Sequence, residues 1–388
     1  MTPTHVLERT AVRAAAETLL DEYARTEERG GCDAGPVVLA TLVAGGERPP
    51  GDAPSARAIA AWLRDFRTPS RHPGLYGAGA AGRMFALRIA AATWPRLHDP
   101  LKAQRARLVE YVAAPRWRTS QVGWEDYDLI WGPSGVLLAF ALDPDATWAE
   151  RAPLTAALAR LCHGEDLPLL RVDQYHGEKL RGWNVGRVNL GLAHGLPGVM
   201  TALRAAAEAD GLDDGLRELL RRLGTRLVAE SYVDDRGVIT WPFGTTRPDG
   251  HRAPKGTGRR QAWCYGCPGN AWTLWEVARV LGDAELGAFA AESARSFVAA
   301  YDDELYLDGL GLCHGAAGLM LLFDAFAGYM GLAGAESLAD HLAAHLMGRL
   351  DELAATGWSL QEDAPGVLSA LLTMTGGDRR WLGALGLR

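Results

Sequence analysis

Three side chains that bind soft divalent metals lie in two glycine-rich segments of this 388-residue chain. Cys264 stands in the segment WCYGCPGN, and Cys313 and His314 stand side by side further along, in LCHGAAGL. Cysteine sulfur and histidine nitrogen are the ligands that zinc prefers, and three protein ligands leave a tetrahedral position open for substrate or water. The two segments therefore predict a zinc site of the catalytic type.

Both segments are copies of one repeated, glycine-rich turn. Five copies of the turn carry a Gly-x-x-Gly core, and in a sixth copy Asp363 replaces the first glycine. The copies are LYGAGAAG from Leu75, IWGPSGV from Ile130, LAHGLPGV from Leu192, WCYGCPGN from Trp263, LCHGAAGL from Leu312 and QEDAPGVL from Gln361. Self-similarity of this kind indicates a repeated supersecondary unit.

The intervals between the turns have the periodicity of amphipathic helices. In LRELLRRLGTRLVAE, apolar residues recur three and four positions apart, which places them on one face of a helix. Two such helices fit in each interval, and a helix pair that cannot bury its apolar face alone must stack on its neighbours. We expect an all-α fold in which the pairs close into a ring, with the turns at one rim and residues 1–388 in a single domain.

Two stretches depart from the helical pattern. Residues 169–189 contain β-like and turn residues, which predicts a small β-like insertion. Residues 247–260 are basic and rich in glycine and proline, and they lead directly to Cys264. This stretch predicts a flexible loop, which is either simply solvated or a flap that covers or recruits a peptide.

With these motifs in this order, the chain resembles the lanthionine synthetase C-like family, the lanthipeptide cyclases. The resemblance runs from about Leu75 to Gly366, and the strings WCYG-x-PG and CHG-x-AG are its most specific part. It implies an α/α toroid, a double ring of inner and outer helices, around a zinc ion bound by Cys264, Cys313 and His314.

The resemblance also implies roles for four more residues and for two partners. His194 in AHGLPG and Asp128 in YDLIWG match the family's acid/base positions, and Arg260 and Tyr265 match its supporting active-site residues. The implied substrate is a precursor peptide that carries dehydroalanine or dehydrobutyrine. Because the sequence shows no kinase-like or dehydratase-like region, we expect a separate dehydratase to make these residues.

The residue types are suited to this chemistry. A peptide cysteine in the open zinc position would be held as a thiolate, which is a nucleophile at neutral pH. Its natural reaction in a site without an oxidant or a phosphate cradle is addition to an electron-poor alkene, which closes a thioether ring. The resulting enolate needs stabilisation and a proton, roles that suit Arg260 and His194, with Asp128 orienting or charging the histidine.

Three other interpretations remain open from the sequence. Cys267 forms a C-x-x-C with Cys264, and its thiol would close a structural Cys3His zinc site if it reached the metal. The protein would then be a zinc-stabilised scaffold or binding protein. A related branch of the family adds glutathione to dehydroamino acids instead of closing rings. Cys162-His163-Gly164 imitates the second motif, but no Ala-Gly follows it, which predicts a chance pair.

Composition and charge limit the classes of protein to which this chain could belong. A hydrophobic content of 48% can bury a large core, and a net charge of −7 provides no basic field for nucleic acid. Five cysteines, several of them in ligand positions, argue against a disulfide framework. No long apolar run or signal-peptide core is present, so we expect a cytoplasmic protein without membrane insertion.

Overall fold

Helices make up most of the protein. The computed structural model describes residues 3–27, 29, 31–114, 117–175, 178–179, 184–252, 260–353 and 357–388. The α-helices in these residues are α1 (Pro3–Arg25), α2 (Gly35–Ala44), α3 (Pro54–Asp65), α4 (Ala80–Ala91), α5 (His98–Ala113), α6 (Pro133–Ala141), α7 (Trp148–Leu161), α8 (Leu196–Asp210), α9 (Asp214–Ala229), α10 (Cys267–Leu281), α11 (Ala284–Ala300), α12 (Asp303–Tyr306), α13 (Ala316–Ala325), α14 (Ala335–Met347), α15 (Leu350–Leu353) and α16 (Ala364–Met374).

The inner helices form a closed ring. Going round it, α2 packs on α4, α4 on α6, α6 on α8, α8 on α10, α10 on α13 and α13 on α16, and α16 returns to α2. These helices are apolar on nearly all sides; in α13, every residue from Ala316 to Phe323 is buried. A helix of this kind is stable only when other elements cover all of its faces.

A second ring provides that cover. α1 and α3 pack on α2, and α5, α7, α9, α11 and α14 pack on α4, α6, α8, α10 and α13 in turn. These outer helices are amphipathic, as α9 shows by burying Leu219, Leu220, Leu223 and Leu227 on one face. The predicted α/α toroid is confirmed, because each interval between turns supplies one outer and one inner helix.

The glycines of the repeated turns mark the places where inner helices begin. A Cβ atom on Gly318 would overlap the carbonyl oxygen of Leu312, and one on Gly366 would overlap that of Leu360. The first turn of each of these helices therefore passes too close to the preceding backbone for any side chain. Gly266 is needed for a different reason, since its φ of 84° lies in the left-handed region.

A seventh turn, which the sequence pattern did not reveal, precedes α2. It reads Asp33-Ala34-Gly35-Pro36-Val37, and the sixth turn reads Asp363-Ala364-Pro365-Gly366-Val367, so the two differ in the order of glycine and proline. The side chain of Asp33 accepts hydrogen bonds from the backbone N–H of Gly35 (3.0 Å) and of Leu360 (2.8 Å). Asp33 thus joins the first turn to the last and closes the rim.

Short hairpins decorate the toroid. Strands β1 (Gln174–Tyr175) and β2 (Glu178–Lys179) pair in antiparallel fashion inside the predicted β-like insertion. A second antiparallel pair, β3 (Tyr232–Val233) and β4 (Ile239–Thr240), was not predicted. Residues 253–259, half of the predicted basic loop, lie outside the described residues.

The inside of the ring is filled by residues 380–387. Trp381, Leu382 and Leu385 of this segment are buried. Its carbonyl groups accept hydrogen bonds from three aromatic side chains of the inner wall, Tyr76 to Ala384 (2.7 Å), Trp263 to Leu385 (2.8 Å) and Trp272 to Gly386 (2.9 Å). The toroid is therefore a packed core and not a channel. Within the described residues, no helix has the length and apolar character needed to cross a bilayer.

Candidate metal centre

Hydrogen bonds link neighbouring turns along the rim. Each of these bonds joins segments that are far apart in the sequence. In each bond, the backbone N–H of the first residue donates to the carbonyl oxygen of the second. The bonds are Tyr76 to Ile130 (3.3 Å), Leu129 to Ala193 (3.1 Å), Ala193 to Cys264 (3.5 Å), Cys264 to Cys313 (3.0 Å) and Cys313 to Gln361 (3.0 Å). The turns that carry the predicted site residues are thereby held side by side.

The turns present their functional side chains at the same two positions. The residue directly before the first glycine is His194, Tyr265 or His314, and the residue before that is Cys264 or Cys313. Because the inner helices all begin at the same rim, equivalent positions come together there. The repeat thus explains how residues from separate turns can form one site.

Cys264, Cys313 and His314, here called the rim cluster, are close enough to share a metal ion. One ligand atom from each lies within 4.8 Å of the others. Tetrahedral zinc with Zn–S distances of about 2.3 Å holds its ligands roughly 3.5 Å apart. Cys264 is buried, whereas the His314 side chain is 33% exposed. The donor set therefore fits zinc and leaves one side open.

The protonation of the rim cluster reflects the crowding of its donors. The hydrogen bond with the Cys264 thiol, together with burial, raises the pKa of Cys313 well above its usual range. The hydrogen bond with Cys313 raises the pKa of His314. Both shifts favour the protonated forms of Cys313 and His314. A divalent ion would displace the protons, because metal binding requires thiolate and neutral imidazole.

The thiol of Cys267 is engaged elsewhere. It is fully buried and donates a hydrogen bond to the carbonyl oxygen of Ser293 in α11 at 3.1 Å. Burial raises the pKa of this thiol. Among the described residues, the group of side chains that could hold a metal comprises the rim cluster and does not include Cys267. The geometry therefore favours three ligands over the closed Cys3His arrangement.

Asp128 and His194 form a hydrogen-bonded pair. Oδ2 of Asp128 lies 2.7 Å from Nδ1 of His194, and Oδ1 accepts from the backbone N–H groups of Trp131 (2.8 Å) and Gly132 (2.7 Å). Asp128 is wholly buried, and His194 is 22% exposed. A carboxylate at Nδ1 requires a proton there, so Nε2 of the neutral ring is left as an acceptor.

Tyr265 and Arg260 flank the rim cluster differently. The Tyr265 ring packs against Phe243, with centroids 4.7 Å apart, and its hydroxyl group accepts a hydrogen bond from Asn189 at 2.7 Å. Burial raises the pKa of this phenol, which keeps it protonated. Arg260 is 44% exposed and pairs with Asp308 at 3.2 Å.

Three residues beside the site were not found from the sequence. Trp124 stacks on His194 with centroids 4.9 Å apart, Asn189 binds Tyr265, and Oε1 of Glu362 lies 3.6 Å from Nδ1 of His314. Glu362 stands directly before the replaced glycine of the sixth turn, so the alignment of the repeats could have revealed it. Trp124 and Asn189 lie outside the repeated positions and carried no such signal.

A cavity of about 1150 Å³ is lined by Trp131, but neither Asp128 nor His194 lines it. It is lined by aromatic and charged side chains, including His72, Trp117, Arg118 and Trp131. Trp131 also donates its backbone N–H to Asp128, which is the link between the cavity lining and that pair. The space is large enough for several residues of an extended peptide.

The fold and the site together define an α/α toroid whose rim carries a thiol–imidazole cluster. The chain belongs to the lanthionine synthetase C-like protein family, whose sequence profile matches residues 54–367. The family predicted from the motifs is thereby confirmed. A solved structure described as nisin cyclase is similar, with a TM-score of 0.80, 19% sequence identity and 97% coverage of both chains, a likeness that shows the fold. No curated protein matches the sequence significantly.

Proposed function

We propose that the protein is a zinc-dependent lanthipeptide cyclase. The observation that carries the proposal is that Cys264, Cys313 and His314 converge within 4.8 Å on the rim that also holds the Asp128–His194 pair. A soft metal-binding donor set beside an oriented histidine suits thiol chemistry, since the first can activate a thiol and the second can move a proton.

The proposed reaction joins a cysteine to a dehydroamino acid of the same peptide. A bound zinc ion would keep the cysteine of the substrate in its thiolate form. The sulfur atom bonds to the β-carbon of dehydroalanine or dehydrobutyrine, and the alkene electrons move to the carbonyl oxygen as an enolate. Protonation of the α-carbon then completes the lanthionine or methyllanthionine thioether.

The residues around the rim cluster have separate roles in this proposal. His194 takes on Nε2 the proton that the substrate thiol loses and then gives it to the α-carbon, while Asp128 fixes the ring orientation and the Nδ1 proton. Tyr265 donates a hydrogen bond to the enolate oxygen. Arg260, whose partner Asp308 is 42% exposed, stabilises the negative charge when the peptide binds.

We infer the partners from the same chemistry. The substrate is a precursor peptide dehydrated by a separate enzyme, and the cavity beside Trp131 holds the part of the peptide that flanks the reacting residues. A cytoplasmic location would place the protein where newly made peptides are modified and thiols stay reduced.

The decisive experiment is to incubate the zinc-loaded protein with a dehydrated precursor that contains cysteines. The remaining thiols are then alkylated, and the mass of the peptide is measured by mass spectrometry before and after alkylation. Ring closure leaves the mass of the peptide unchanged and removes alkylatable cysteines. Thiols that persist under conditions where zinc occupancy is complete would contradict the proposal.

The same assay separates the two other candidate functions. If the protein belongs to the conjugating branch, added glutathione increases the peptide mass by one glutathione per dehydroamino acid. If the protein is a zinc-stabilised scaffold, neither ring closure nor glutathione addition occurs, although the protein binds zinc tightly. The exposure of His314 and the engagement of Cys267 with Ser293 support an open site over that last possibility.

A further inference from the structure

Asn189 holds its amide in one defined orientation. The residue is buried, and its Oδ1 accepts a hydrogen bond from the backbone N–H of Gly191 at 2.8 Å. A backbone N–H can only donate, so the atom that faces it must be the amide oxygen. The amide nitrogen therefore faces Tyr265, and it donates a hydrogen bond to the phenol oxygen at 2.7 Å.

This donation determines what the Tyr265 hydroxyl group can do. A phenol has a single proton, and because its oxygen already accepts from Asn189, that proton is free to be donated in another direction. Within the part of the chain that the structure describes, no side chain or carbonyl group accepts it. The ring cannot rotate away, because Phe243 packs on it and Gly191 lies directly against it. The contact with Gly191 is so close that a Cβ atom there would overlap the ring.

The pair also spans the two sides of the site. Tyr265 follows the metal ligand Cys264 directly, and Asn189 lies in the segment just before the turn that carries His194. The hydrogen bond between them therefore links the turn of the rim cluster to the segment that leads to His194.

We propose that Asn189 is a positioning residue that makes Tyr265 an obligatory hydrogen-bond donor to the carbonyl oxygen of the dehydroamino acid. The inference rests on the proposed cyclase function. When the carbon–sulfur bond forms, the alkene electrons become a lone pair on that oxygen, and the Tyr265 hydrogen bond strengthens as the charge grows. His194 supplies the proton that ends on the α-carbon. The substrate class that the pair selects is an alkene conjugated to a carbonyl group.

The test reverses the hydrogen bond with a substitution of nearly the same shape. Asn189→Asp keeps an acceptor for the Gly191 N–H but offers Tyr265 a carboxylate. The phenol O–H should then point to this carboxylate and no longer to the substrate, while the ring stays in place. We expect kcat for cyclisation to fall about a hundredfold, with KM and zinc content unchanged. If the aspartate variant does not fold, Asn189→Ala removes the donor without offering Tyr265 an acceptor; kcat should then fall by a smaller factor, and an unchanged kcat would overturn the proposal.

Two further comparisons separate positioning from a merely structural role. Tyr265→Phe should lose as much activity as Asn189→Asp, and the double variant should be no slower than Tyr265→Phe alone. Losses that multiply in the double variant would overturn the proposal, because Asn189 would then act without Tyr265.

An independent measurement reports the hydrogen bond itself. The tyrosine Fermi doublet in the Raman spectrum changes intensity ratio when a phenol switches from accepting to donating. Subtracting the spectrum of the matching Tyr265→Phe protein isolates this residue. We expect the ratio to shift towards a donor in Asn189→Asp, and an unchanged ratio would overturn the proposal. If the variant shows the shift but the wild-type protein shows no cyclisation, the cyclase function fails while the direction of the hydrogen bond stands.

Discussion

The two halves of the rim differ in how far the protein itself satisfies their polar groups. In the acid–base half, formed by the turns at Gly132 and Gly195, both oxygens of Asp128 are engaged and the ring of His194 is held in place. In the metal half, formed by the turns at Gly266 and Gly315, the three donors of the rim cluster crowd within 4.8 Å. The protein itself satisfies the polar groups of one half, and the other half presents a donor set that suits a metal ion.

This difference shows how one repeated turn can supply two kinds of site. The acid–base half uses backbone N–H groups of its own turn to fix a carboxylate, which in turn fixes a histidine. The metal half brings two thiols and an imidazole together from two turns, as donors for an ion that the chain does not supply. Substitutions should therefore separate metal binding from catalysis according to the half in which they fall.

The largest effect is expected in the metal half. Cys264→Ala and Cys313→Ala should each lose zinc, measured by metal analysis, and lower cyclisation at least about a thousandfold, because the ion contributes several kcal/mol. Cys162→Ala is the matched control, since Cys162 lies in the other Cys-His-Gly string, at the buried end of α7. Full zinc occupancy in both ligand variants would refute the assignment.

In the acid–base half, catalysis should fall while the metal stays. His194→Asn should reduce cyclisation about a hundredfold or more, the range for a lost general acid, with zinc content and melting temperature unchanged. His341→Asn is the control, because His341 also pairs with an aspartate, Asp303 at 2.9 Å, but on the exposed surface. Wild-type rates for His194→Asn would mean that this histidine is only a packing residue.

A third substitution tests what the two halves share, the closed rim. Asp33→Ala leaves the buried N–H groups of Gly35 and Leu360 without their acceptor and should lower the free energy of unfolding by about 2–5 kcal/mol. Asp363→Ala removes a bond to the Ser359 N–H within one turn and should cost about 1 kcal/mol. Chemical denaturation measures both, and equal losses would mean that closure adds nothing.

The smallest effect is expected at Cys267. Its alanine variant loses one hydrogen bond to Ser293 and a buried sulfur atom, which should cost about 1–2 kcal/mol of stability. Zinc content should not change, in contrast to Cys264→Ala three residues earlier. Metal analysis of the two proteins side by side decides the point, and zinc loss from Cys267→Ala would restore the closed Cys3His site.

The repeat made most of the fold predictable, and the rest depended on contacts that leave no pattern. Glycines at fixed offsets and helical periodicity indicated the double ring and the rim. The turn at Asp33 was missed because exchange of glycine and proline hides it, although Gly35 still lies beside the backbone of Trp358. The hairpin of Tyr232 and Thr240 was missed because two-residue strands carry no periodicity.

The candidate site was predictable to the extent that it follows the repeat. The cysteines Cys264 and Cys313 stand at one position of their turns, and the histidines His194 and His314 stand at the next position. The repeat therefore allowed the sequence to group them. Asn189 acts through a hydrogen bond to another turn, which only the three-dimensional arrangement reveals.

Closure of the rim through Asp33 also bears on how the chain folds. In an open solenoid, each repeat can add to its neighbour, so folding can begin anywhere and spread. Here the bond between Asp33 and Leu360 joins positions 327 residues apart, and forming it requires closing nearly the whole chain into one loop. High sequence separation of this kind slows folding. We therefore expect a late, rate-limiting closure step, before which the ring would be an arc with two exposed apolar ends.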